Sequence, residues 1–534
     1  MEINYSGKSA LIVDSKLEDL GSLRQILSRL GVPQVQVASS VNMALSLMRE
    51  FTFDLCFACH EMGAYEKNGL QLLQEAKAEG IFKASSAFFL IVDPENSELL
   101  FGSLENSPDT YISKPYDIGK VRFRLEKQLR VKETIQPVEQ LLDQGKYSEL
   151  LEAVDVLIEN YPGLNVFLQR VKGIALLRMD DYEDAQKLFS NLIQHRDLPW
   201  AEVGKGVAHF HQGEHERALE CLNKVVDQQH ISIEAYSWLS RTYRVKGQLE
   251  RAVTLMRKAV MLQPTVPAIQ TELAELAAQT ADWGIAKDAY QQAIRYAKHS
   301  VFQIPENYFG LVRSLIESQP TNVDGIEADV IRVLEDVVMD FSEDHEVIFR
   351  AKLVNCDLYR KSNHPKKFEQ MLLQTWRFFQ RMNLNNQCKW MDVMYEASVD
   401  SNLQTEVSER RRELVRVIIE LEWGKANHSA MAYYRRGEMD KAYRQFKKAN
   451  ELLPTHSGIA LNLIQSGLEL IKRGEEGLSM LLVLQKVISE ISFGALPEKH
   501  QARFISLSQK FSGLAEVVCK SSEENSADPL SQEL

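Results

Sequence analysis

A short stretch near residue 59 places reactive side chains where a buried strand is expected to end. Residues 55–59 read Leu-Cys-Phe-Ala-Cys, an apolar run with the length and composition of a buried strand. Polar residues follow it, and Gly63 and Gly69 mark a loop. In an open parallel α/β sheet, sites form at the carboxyl ends of the strands. The chemistry of this region therefore depends on Cys59.

Cys56, Cys59 and His60 spell Cys-x-x-Cys-His, which in other contexts attaches c-type haem. Haem attachment needs an export signal, and Cys56 lies inside the predicted strand, so this interpretation is disfavoured. A zinc site lacks a second ligand pair. A redox role for Cys59 would need exposure and thiolate character, which Lys114 could promote. The simpler interpretation is a small apolar residue that fills a pocket.

Five strand–helix units are predicted before residue 130. The apolar runs are 10–13, 35–38, 55–59, 87–92 and 111–113, and a short helix is predicted around Leu99, Leu100, Phe101 and Leu104. Alternating strands and helices call for a parallel sheet with right-handed crossovers. With the strand order 2-1-3-4-5, the ends of strands 1, 3, 4 and 5 surround one pocket. The residues at those ends are Asp14, Ser15, Cys59, Asp93 and Lys114.

These pieces resemble the receiver domain of two-component response regulators. The matching pieces are Leu-Ile-Val-Asp at 11–14, Asp54-Leu55 followed by Met62, the aromatic Tyr111, and Lys114-Pro115. The resemblance implies a flavodoxin-like, doubly wound five-stranded parallel sheet. It also implies a strand-3 carboxylate that accepts a phosphoryl group and two acids after strand 1 that hold Mg²⁺. A hydroxyl and a lysine would bind the phosphate.

The chain departs from this pattern at three positions. Ser15 replaces the second acid, Cys59 replaces the nucleophile and Asp93 replaces the hydroxyl residue, while Asp14 and Lys114 match. A thiol cannot form an acyl phosphate, and Mg²⁺ prefers oxygen ligands. We therefore predict a pseudo-receiver with no catalytic residue, no cofactor and weak or absent Mg²⁺ binding. Lys114 is expected to pair with Asp14 or Asp93.

A receiver-like domain is thus predicted at 1–130, followed by a helical connector at 131–137. A helix begins near Asp117, and its basic residues are interleaved with Glu126 and Glu133, which is typical of a solvated face. Pro137 is expected to break this helix and to separate the domains.

Residues 138–299 contain a repeat. Turns begin at Gly145, Asp180, Gly213, Gly247 and Ala281, which lie 35, 33, 34 and 34 residues apart. Five residues after each start come Leu150, Ala185, Ala218, Ala252 and Ala286, where small residues let two helices approach. Four further on come Val154, Phe189, Leu222, Met256 and Tyr290, which should be core residues. The pattern resembles five tetratricopeptide repeats, which implies an all-α solenoid.

The rest of the chain, residues 300–534, is divided into three segments. Residues 300–425 keep helical apolar spacing but lose the clean period, and are interpreted as divergent helical repeats. Residues 426–519 restore one repeat around Gly437 and add capping helices. The tail at 520–534, rich in Ser, Glu and Asp, is predicted to be disordered.

A solenoid of this kind has a concave groove lined by the first helix of each repeat. By analogy, the candidate lining residues are Phe167, Arg170, Arg178, Trp200, Phe210, Arg241 and Arg244. Their basic and aromatic character would suit an acidic peptide or helix. Each of them could equally belong to the core between repeats.

The composition and the absence of certain sequence patterns argue against several functional classes for this protein. The net charge of −12 argues against a nucleic-acid partner. No segment approaches about 20 uninterrupted apolar residues, so no membrane span is expected. The N-terminus lacks a signal-peptide pattern, so a cytoplasmic protein is predicted.

The resulting hypothesis is a bacterial two-component (phosphorelay) regulator that acts by binding proteins and is not an enzyme. Its expected partner is a histidine kinase or another response regulator, and bacterial origin is implied by the resemblance alone. Two alternatives stay open: a phosphorylatable receiver that acts as a phosphoryl sink, and a thiol-redox sensor that works through Cys59.

Overall fold

The computed structural model describes residues 5, 7–63, 66–93, 108–228, 232–319, 323–474 and 477–527 of the chain. The protein divides into two compact units. The first comprises Met1–Thr242, Thr254–Ile269 and Arg295–Gln303, and the second comprises Tyr243–Val253, Gln270–Ile294 and Ile304–Leu534. Within the described ranges, no helix has both the length and the apolar character needed to cross a membrane.

The N-terminal unit contains a five-stranded parallel sheet in the order β2-β1-β3-β4-β5. The strands are β1 (Ser9–Val13), β2 (Gln34–Ala38), β3 (Leu55–Cys59), β4 (Ala87–Val92) and β5 (Thr110–Ser113). Every residue of β3 and β4 is buried, as expected for central strands covered on both faces. The predicted fold class and strand order are confirmed.

Helices cover both faces of this sheet. They are α1 (Leu17–Arg29), α2 (Val41–Glu50), α3 (Gly69–Ala78) and α4 (Ile118–Asp143). Residues of α2 and α3, such as Leu45 and Leu72, pack on one face, and residues of α1 and α4, such as Leu27 and Leu125, pack on the other. The short helix predicted around Leu99–Leu104 lies outside the described residues.

The last helix of the receiver fold continues into the repeats. Pro137 lies inside α4, so the prediction that it breaks the helix is wrong, and α4 continues through the predicted helical connector at 131–137. A proline inside a helix costs about 3 kcal/mol, because it lacks an N–H and its ring clashes with the preceding turn. Ile135 and Val138 are buried beside it, and Lys132 Nζ lies 2.6 Å from Glu139 Oε1 across it. These tertiary contacts outweigh the local cost.

Helix pairs follow α4. The next helices are α5 (Tyr147–Asn160), α6 (Asn165–Arg178), α7 (Tyr182–His195), α8 (Pro199–His211), α9 (His215–Asp227), α10 (Ile233–Val245), α11 (Leu249–Leu262), α12 (Pro267–Gln279) and α13 (Trp283–Ala297). Each predicted turn begins with a left-handed residue, and the φ angles are 68° at Gly145, 59° at Asp180, 79° at Gly213, 72° at Gly247 and 57° at Ala281. A residue in this conformation ends a helix and lets the chain reverse.

The small residues and the core residues predicted from the repeat pattern are all fully buried. The exposed fraction is 0% at Leu150, Ala185, Ala218, Ala252 and Ala286, and also at Val154, Phe189, Leu222, Met256 and Tyr290. The Phe189 ring lies against two glycines. A Cβ atom built at Gly173 would lie 2.5 Å from Phe189 Cζ, and one at Gly204 would lie 2.6 Å from it. The helices therefore approach one another closely around this ring.

The C-terminal helices keep a period, but of a different length. They are α14 (Pro305–Ser318), α15 (Val323–Asp340), α16 (His345–Lys361), α17 (Pro365–Arg381), α18 (Leu384–Ser398), α19 (Gln404–Glu420), α20 (Glu422–Arg435), α21 (Met439–Leu452), α22 (Ser457–Lys472), α23 (Leu478–Glu490) and α24 (Glu498–Ala527). Short 3₁₀ turns lie at Pro162–Leu164 and Phe493–Ala495. Left-handed turn residues occur at Asn363, Asp400, Gly437 and Gly474, each 37 residues after the one before. The 37-residue spacing is not the tetratricopeptide length, and Asn and Asp replace glycine at two of these turns.

Helix α18 lies within the segment interpreted as divergent helical repeats, Asn383 caps it, and its Met391 and Met394 are buried. Helix α24 is described to Ala527, and the disordered tail at 520–534 stays a prediction.

We expect opposite stability effects from two Gly→Ala substitutions. Gly173→Ala should lower the free energy of unfolding by about 1–3 kcal/mol, because its methyl group would overlap the buried Phe189 ring. Gly21→Ala is the matched control, since nothing lies within 4 Å of its built Cβ. It should stabilise α1 by about 0.5–1 kcal/mol through helix propensity. Urea denaturation followed by circular dichroism measures both, and equal effects would contradict the close packing at Gly173.

Candidate functional site

The strand ends bring together an acid, a thiol and a lysine. Asp14 directly follows β1, Cys59 ends β3 and Lys114 directly follows β5. Val13 of β1 pairs with Ala58 of β3, so the next residues, Asp14 and Cys59, are neighbours on adjacent strands. Asp14 is 1% exposed and Cys59 is 4% exposed. The topology predicted from the sequence thus assembles this pocket.

Lys114 is neutralised by two carboxylates. Its Nζ lies 3.2 Å from Asp14 Oδ2 and 2.7 Å from Asp19 Oδ2. The other Asp14 oxygen accepts a hydrogen bond from the Lys16 N–H at 3.0 Å. Burial acts to lower the pKa of Lys114, but the hydrogen bond to Asp19 and the neighbouring negative charges outweigh it and raise the pKa. Pairing with Asp14 was one of the two predicted options, whereas the sequence analysis missed Asp19.

Cys59 is a neutral thiol at physiological pH. Burial raises its pKa to about 11, and the negative charge of Asp14 acts in the same direction, against the positive charge of Lys114. The Sγ atom donates a weak hydrogen bond to the Glu61 carbonyl at 3.4 Å. Cys56, inside β3, is fully buried and its pKa is also raised by burial. Among the described cysteines there is no disulfide.

The remaining predicted pocket residues are less closely associated. Asp93 and Lys114 line an open depression of about 460 Å³ together with Asp19, Ser22, Pro115 and Tyr116. Ser15 is exposed, and Tyr111 packs against the core on the α2–α3 side of the sheet. His60 directly follows Cys59 and lies near Asp93. Burial lowers the pKa of His60, while the nearby Asp93 acts to raise it.

Mg²⁺ does not fit these residues. Two carboxylates of the pocket, Asp14 and Asp19, already bind Lys114. Cys59, at the position where a receiver has its phosphoacceptor carboxylate, carries a protonated thiol. A thiol is a poor ligand for a hard cation such as Mg²⁺. Within the described ranges, no cluster of three His, Cys, Asp or Glu side chains is placed to hold a metal ion.

The candidate groove residues divide into core and surface. Trp200 and Phe210 are 7% exposed, and their rings pack against Phe189 and Trp238, respectively. These two residues are therefore inter-repeat core and do not line an open groove. Phe167 is 39% exposed, and Arg178 is also exposed.

The other arginines among the candidates are engaged with neighbours. The guanidinium of Arg170 lies 5.4 Å from the Trp200 ring centroid, and that of Arg241 lies 4.6 Å from the Trp238 centroid. Burial lowers the pKa of Arg170, and Glu234 and Tyr111 are close enough to act against that shift. In the second unit, Arg244 lies near enough to the buried Glu275 to act on the pKa of that carboxyl, which burial raises.

Glu275 is a buried acid that the sequence analysis missed. It lies on α12, and its Oε2 accepts a hydrogen bond from the Gly494 N–H at 3.1 Å. A Cβ atom built at Gly494 would lie 2.3 Å from the Tyr290 hydroxyl oxygen. The backbone of the 493–495 turn therefore lies directly against the helices, and Glu275 anchors it.

Comparison with known proteins supports the repeat part of the fold. Residues 170–232 and 233–266 each match a family model described as tetratricopeptide repeat. No curated protein matches the chain. The protein thus carries tetratricopeptide repeats after a receiver-like parallel sheet.

Several solved structures are similar to parts of the chain. A CheY-like response regulator receiver domain from Methanospirillum hungatei is 23% identical over 24% of this chain and 96% of its own, with a TM-score of 0.20. MamA from Desulfovibrio magneticus, from residue 41 to its end, is 23% identical over 31% of this chain and 94% of its own, with a TM-score of 0.28. The C-terminal part of a tetratricopeptide repeat protein from Cytophaga hutchinsonii is 13% identical over 47% of this chain and 96% of its own, with a TM-score of 0.38. These likenesses carry no functional information about this chain.

Lys114→Met should destabilise the N-terminal unit strongly. Removing the lysine leaves the 1%-exposed Asp14 without its counter-charge, and breaking a buried ion pair costs about 3–5 kcal/mol. Lys8→Met is the matched control, because the Lys8–Asp54 pair is 38% and 36% exposed and such pairs contribute about 0–1 kcal/mol. Thermal and urea unfolding of the full chain measure both. A Lys114→Met variant as stable as Lys8→Met would contradict the assignment.

Cys59 should react slowly with alkylating reagents. A pKa of about 11 leaves very little thiolate at pH 8, so iodoacetamide should modify native Cys59 at least ~100-fold more slowly than in guanidinium chloride. Raising the pH towards 11 should speed the native reaction. Mass spectrometry of the peptide that carries Cys59 measures the rate. Fast modification of the native protein at neutral pH would favour the redox-sensor alternative.

Proposed function

We propose that this chain is a two-component signalling regulator that works by stoichiometric protein binding, with a receiver that is not phosphorylated on a carboxylate. The observation that carries the proposal is the cysteine side chain of Cys59 at the end of β3, beside Asp14 and Lys114. A thiol at that position cannot become an aspartyl phosphate.

The charges of the pocket support the same conclusion. Phosphoryl transfer relies on cations that stabilise the charge on the phosphoryl oxygens. Lys114 is paired with Asp14 and Asp19, and Asp93 adds a further negative charge to the depression. An incoming phosphoryl group would therefore meet more negative than positive charge. The proposal includes no enzymatic activity and no resident cofactor.

Protein binding is the role proposed in place of catalysis. Tetratricopeptide repeats at 170–266 are a protein-interaction architecture, and a receiver fold without phosphotransfer chemistry still offers its surface to a partner. We propose a histidine kinase or another response regulator as that partner, in the cytoplasm of a bacterium. Binding of this kind could inhibit a phosphotransfer by competition.

The two alternatives receive less support from the site. A phosphoryl sink needs a nucleophilic carboxylate and a metal, and the arrangement around Cys59 fits neither. A thiol-redox sensor needs an accessible thiolate, whereas burial and the Asp14 charge keep Cys59 protonated.

Phosphodonor labelling tests the proposal. The full chain incubated with acetyl phosphate and Mg²⁺ should acquire no phosphoryl group, as measured by intact mass. The triple variant Ser15→Asp, Cys59→Asp, Asp93→Thr restores the acids and the hydroxyl and serves as the positive control. A hydroxylamine-labile phosphoryl group on the wild-type receiver would overturn the proposal and favour the phosphoryl sink.

A further inference from the structure

The outer face of α3 carries polar side chains that are buried. Gln71 and Glu75 lie one turn apart on the side of α3 opposite the core residue Leu73, and Lys67, which precedes the helix, is paired with Glu75. Their exposed fractions are 2% at Gln71, 2% at Glu75 and 7% at Lys67. The outer face of a surface helix ordinarily faces water. Another part of the chain must therefore cover this face.

A connection between two repeats supplies part of the cover. The Gln71 side-chain amide donates a hydrogen bond to the hydroxyl of Thr265, which lies between α11 and α12. Thr265 is 7% exposed and the following Val266 is 9% exposed. The amide oxygen of Gln71 also accepts a hydrogen bond from the Asn68 N–H at 2.6 Å, so both ends of this amide are engaged.

The end of α2 contacts the corresponding connection of the next repeat. Arg49 binds Glu79 through two hydrogen bonds of 2.9 and 2.7 Å, and it donates a third, of 2.9 Å, to the carbonyl of His299. His299 follows α13, 34 residues after Thr265, which is one repeat length. The α2–α3 face thus contacts equivalent positions of two successive repeats, and all of these residues belong to the first compact unit.

The contact is polar. A hydrogen bond between an amide and a hydroxyl and a charged hydrogen bond to a carbonyl cross it, and the covered Lys67–Glu75 pair at 2.8 Å lies beside them within the receiver. Each such hydrogen bond contributes only modestly to the free energy of the contact, because the separated groups form hydrogen bonds to water instead. Interfaces of this character between domains resemble transient protein–protein interfaces. The contact is therefore suited to opening and closing.

We propose that the α2–α3 face of the receiver is an interaction surface whose partner is the inter-repeat edge of the chain's own tetratricopeptide domain. The edge is defined by Thr265 and the His299 carbonyl, and the contact holds the chain in a closed state. A protein that binds either face must first open this contact. The inference goes beyond the proposed function and does not depend on whether the receiver is phosphorylated.

Thr265→Val in the full chain tests the contact from the repeat side. The substitution keeps the shape of the side chain and removes only the hydroxyl, so Gln71 loses a buried partner. Hydrogen–deuterium exchange read by mass spectrometry should increase at least about threefold in α3, although α3 lies far from residue 265 in sequence. Exchange in β3 and β4 should not change, which shows that the receiver stays folded.

Asn68→Ala is the matched control on the receiver side. It removes the cap of α3, whose side chain accepts a hydrogen bond from the Gln71 N–H, without removing the contact to Thr265. Exchange should then increase at the start of α3 and remain unchanged at 263–267. If Thr265→Val alters exchange only around residue 265, the proposed docking is wrong.

Arg49→Met provides an independent variant at the second connection. Exchange should increase at 298–303, and combining it with Thr265→Val should raise exchange in α3 more than either single change. Glu79→Gln is its control, because it weakens the Arg49–Glu79 pair within the receiver and leaves the His299 carbonyl contact available. An Arg49→Met variant whose exchange at 298–303 and in α3 equals that of the wild type would overturn the proposal.

Discussion

One helix belongs to both domains of the N-terminal unit, and the structure of this unit depends on it. The first half of α4 covers the sheet through Val121, Leu125 and Leu129. Its second half packs Ile135 and Val138 against Leu150 and Val154 of the first repeat. Because a continuous helix is stiff, α4 fixes the receiver relative to the first repeat.

An ion cluster secures this shared helix at its midpoint. Lys132 Nζ lies 2.9 Å from Asp109 Oδ1 and 2.6 Å from both Glu139 Oε1 and the Ala84 carbonyl. Burial raises the pKa of Glu139 to about 7, against the pull of Lys132. Buried charges are tolerated only when they are paired and hydrogen-bonded, so the cluster specifies one position of α4 on the sheet. Lys132 and Glu139 lie on either side of Pro137, so the cluster also helps to offset the cost of a proline inside the helix.

The pocket and the docking face are neighbours in this arrangement. A Cβ atom built at Gly69, the first residue of α3, would lie 2.6 Å from the Cys59 carbonyl oxygen. The start of α3 is therefore held directly against the strand end where a phosphorylatable receiver carries its nucleophile. With Cys59 protonated and Lys114 paired, the pocket provides a fixed support for α3, and α3 carries the side chain that contacts Thr265.

What the sequence determined by itself was local. Runs of apolar residues located β3 and β4 to the residue, and turn residues located the five repeat starts, because strand burial and left-handed helix ends depend on a few adjacent residues. The convergence of Asp14, Cys59 and Lys114 followed from strand order. The 37-residue spacing of Asn363, Asp400, Gly437 and Gly474 is also present in the sequence, but only the structure shows that these four residues are left-handed turns.

The tertiary structure decided the remaining features of the site, because they depend on contacts between segments that are distant in the sequence. Asp19 reaches Lys114 across 95 residues, and Gln71 reaches Thr265 across 194. The protonation of Cys59, the burial of Trp200 and Phe210, and the passage of α4 through Pro137 are each set by the surrounding atoms. Desolvation and packing are collective, so residue type and spacing alone do not specify them.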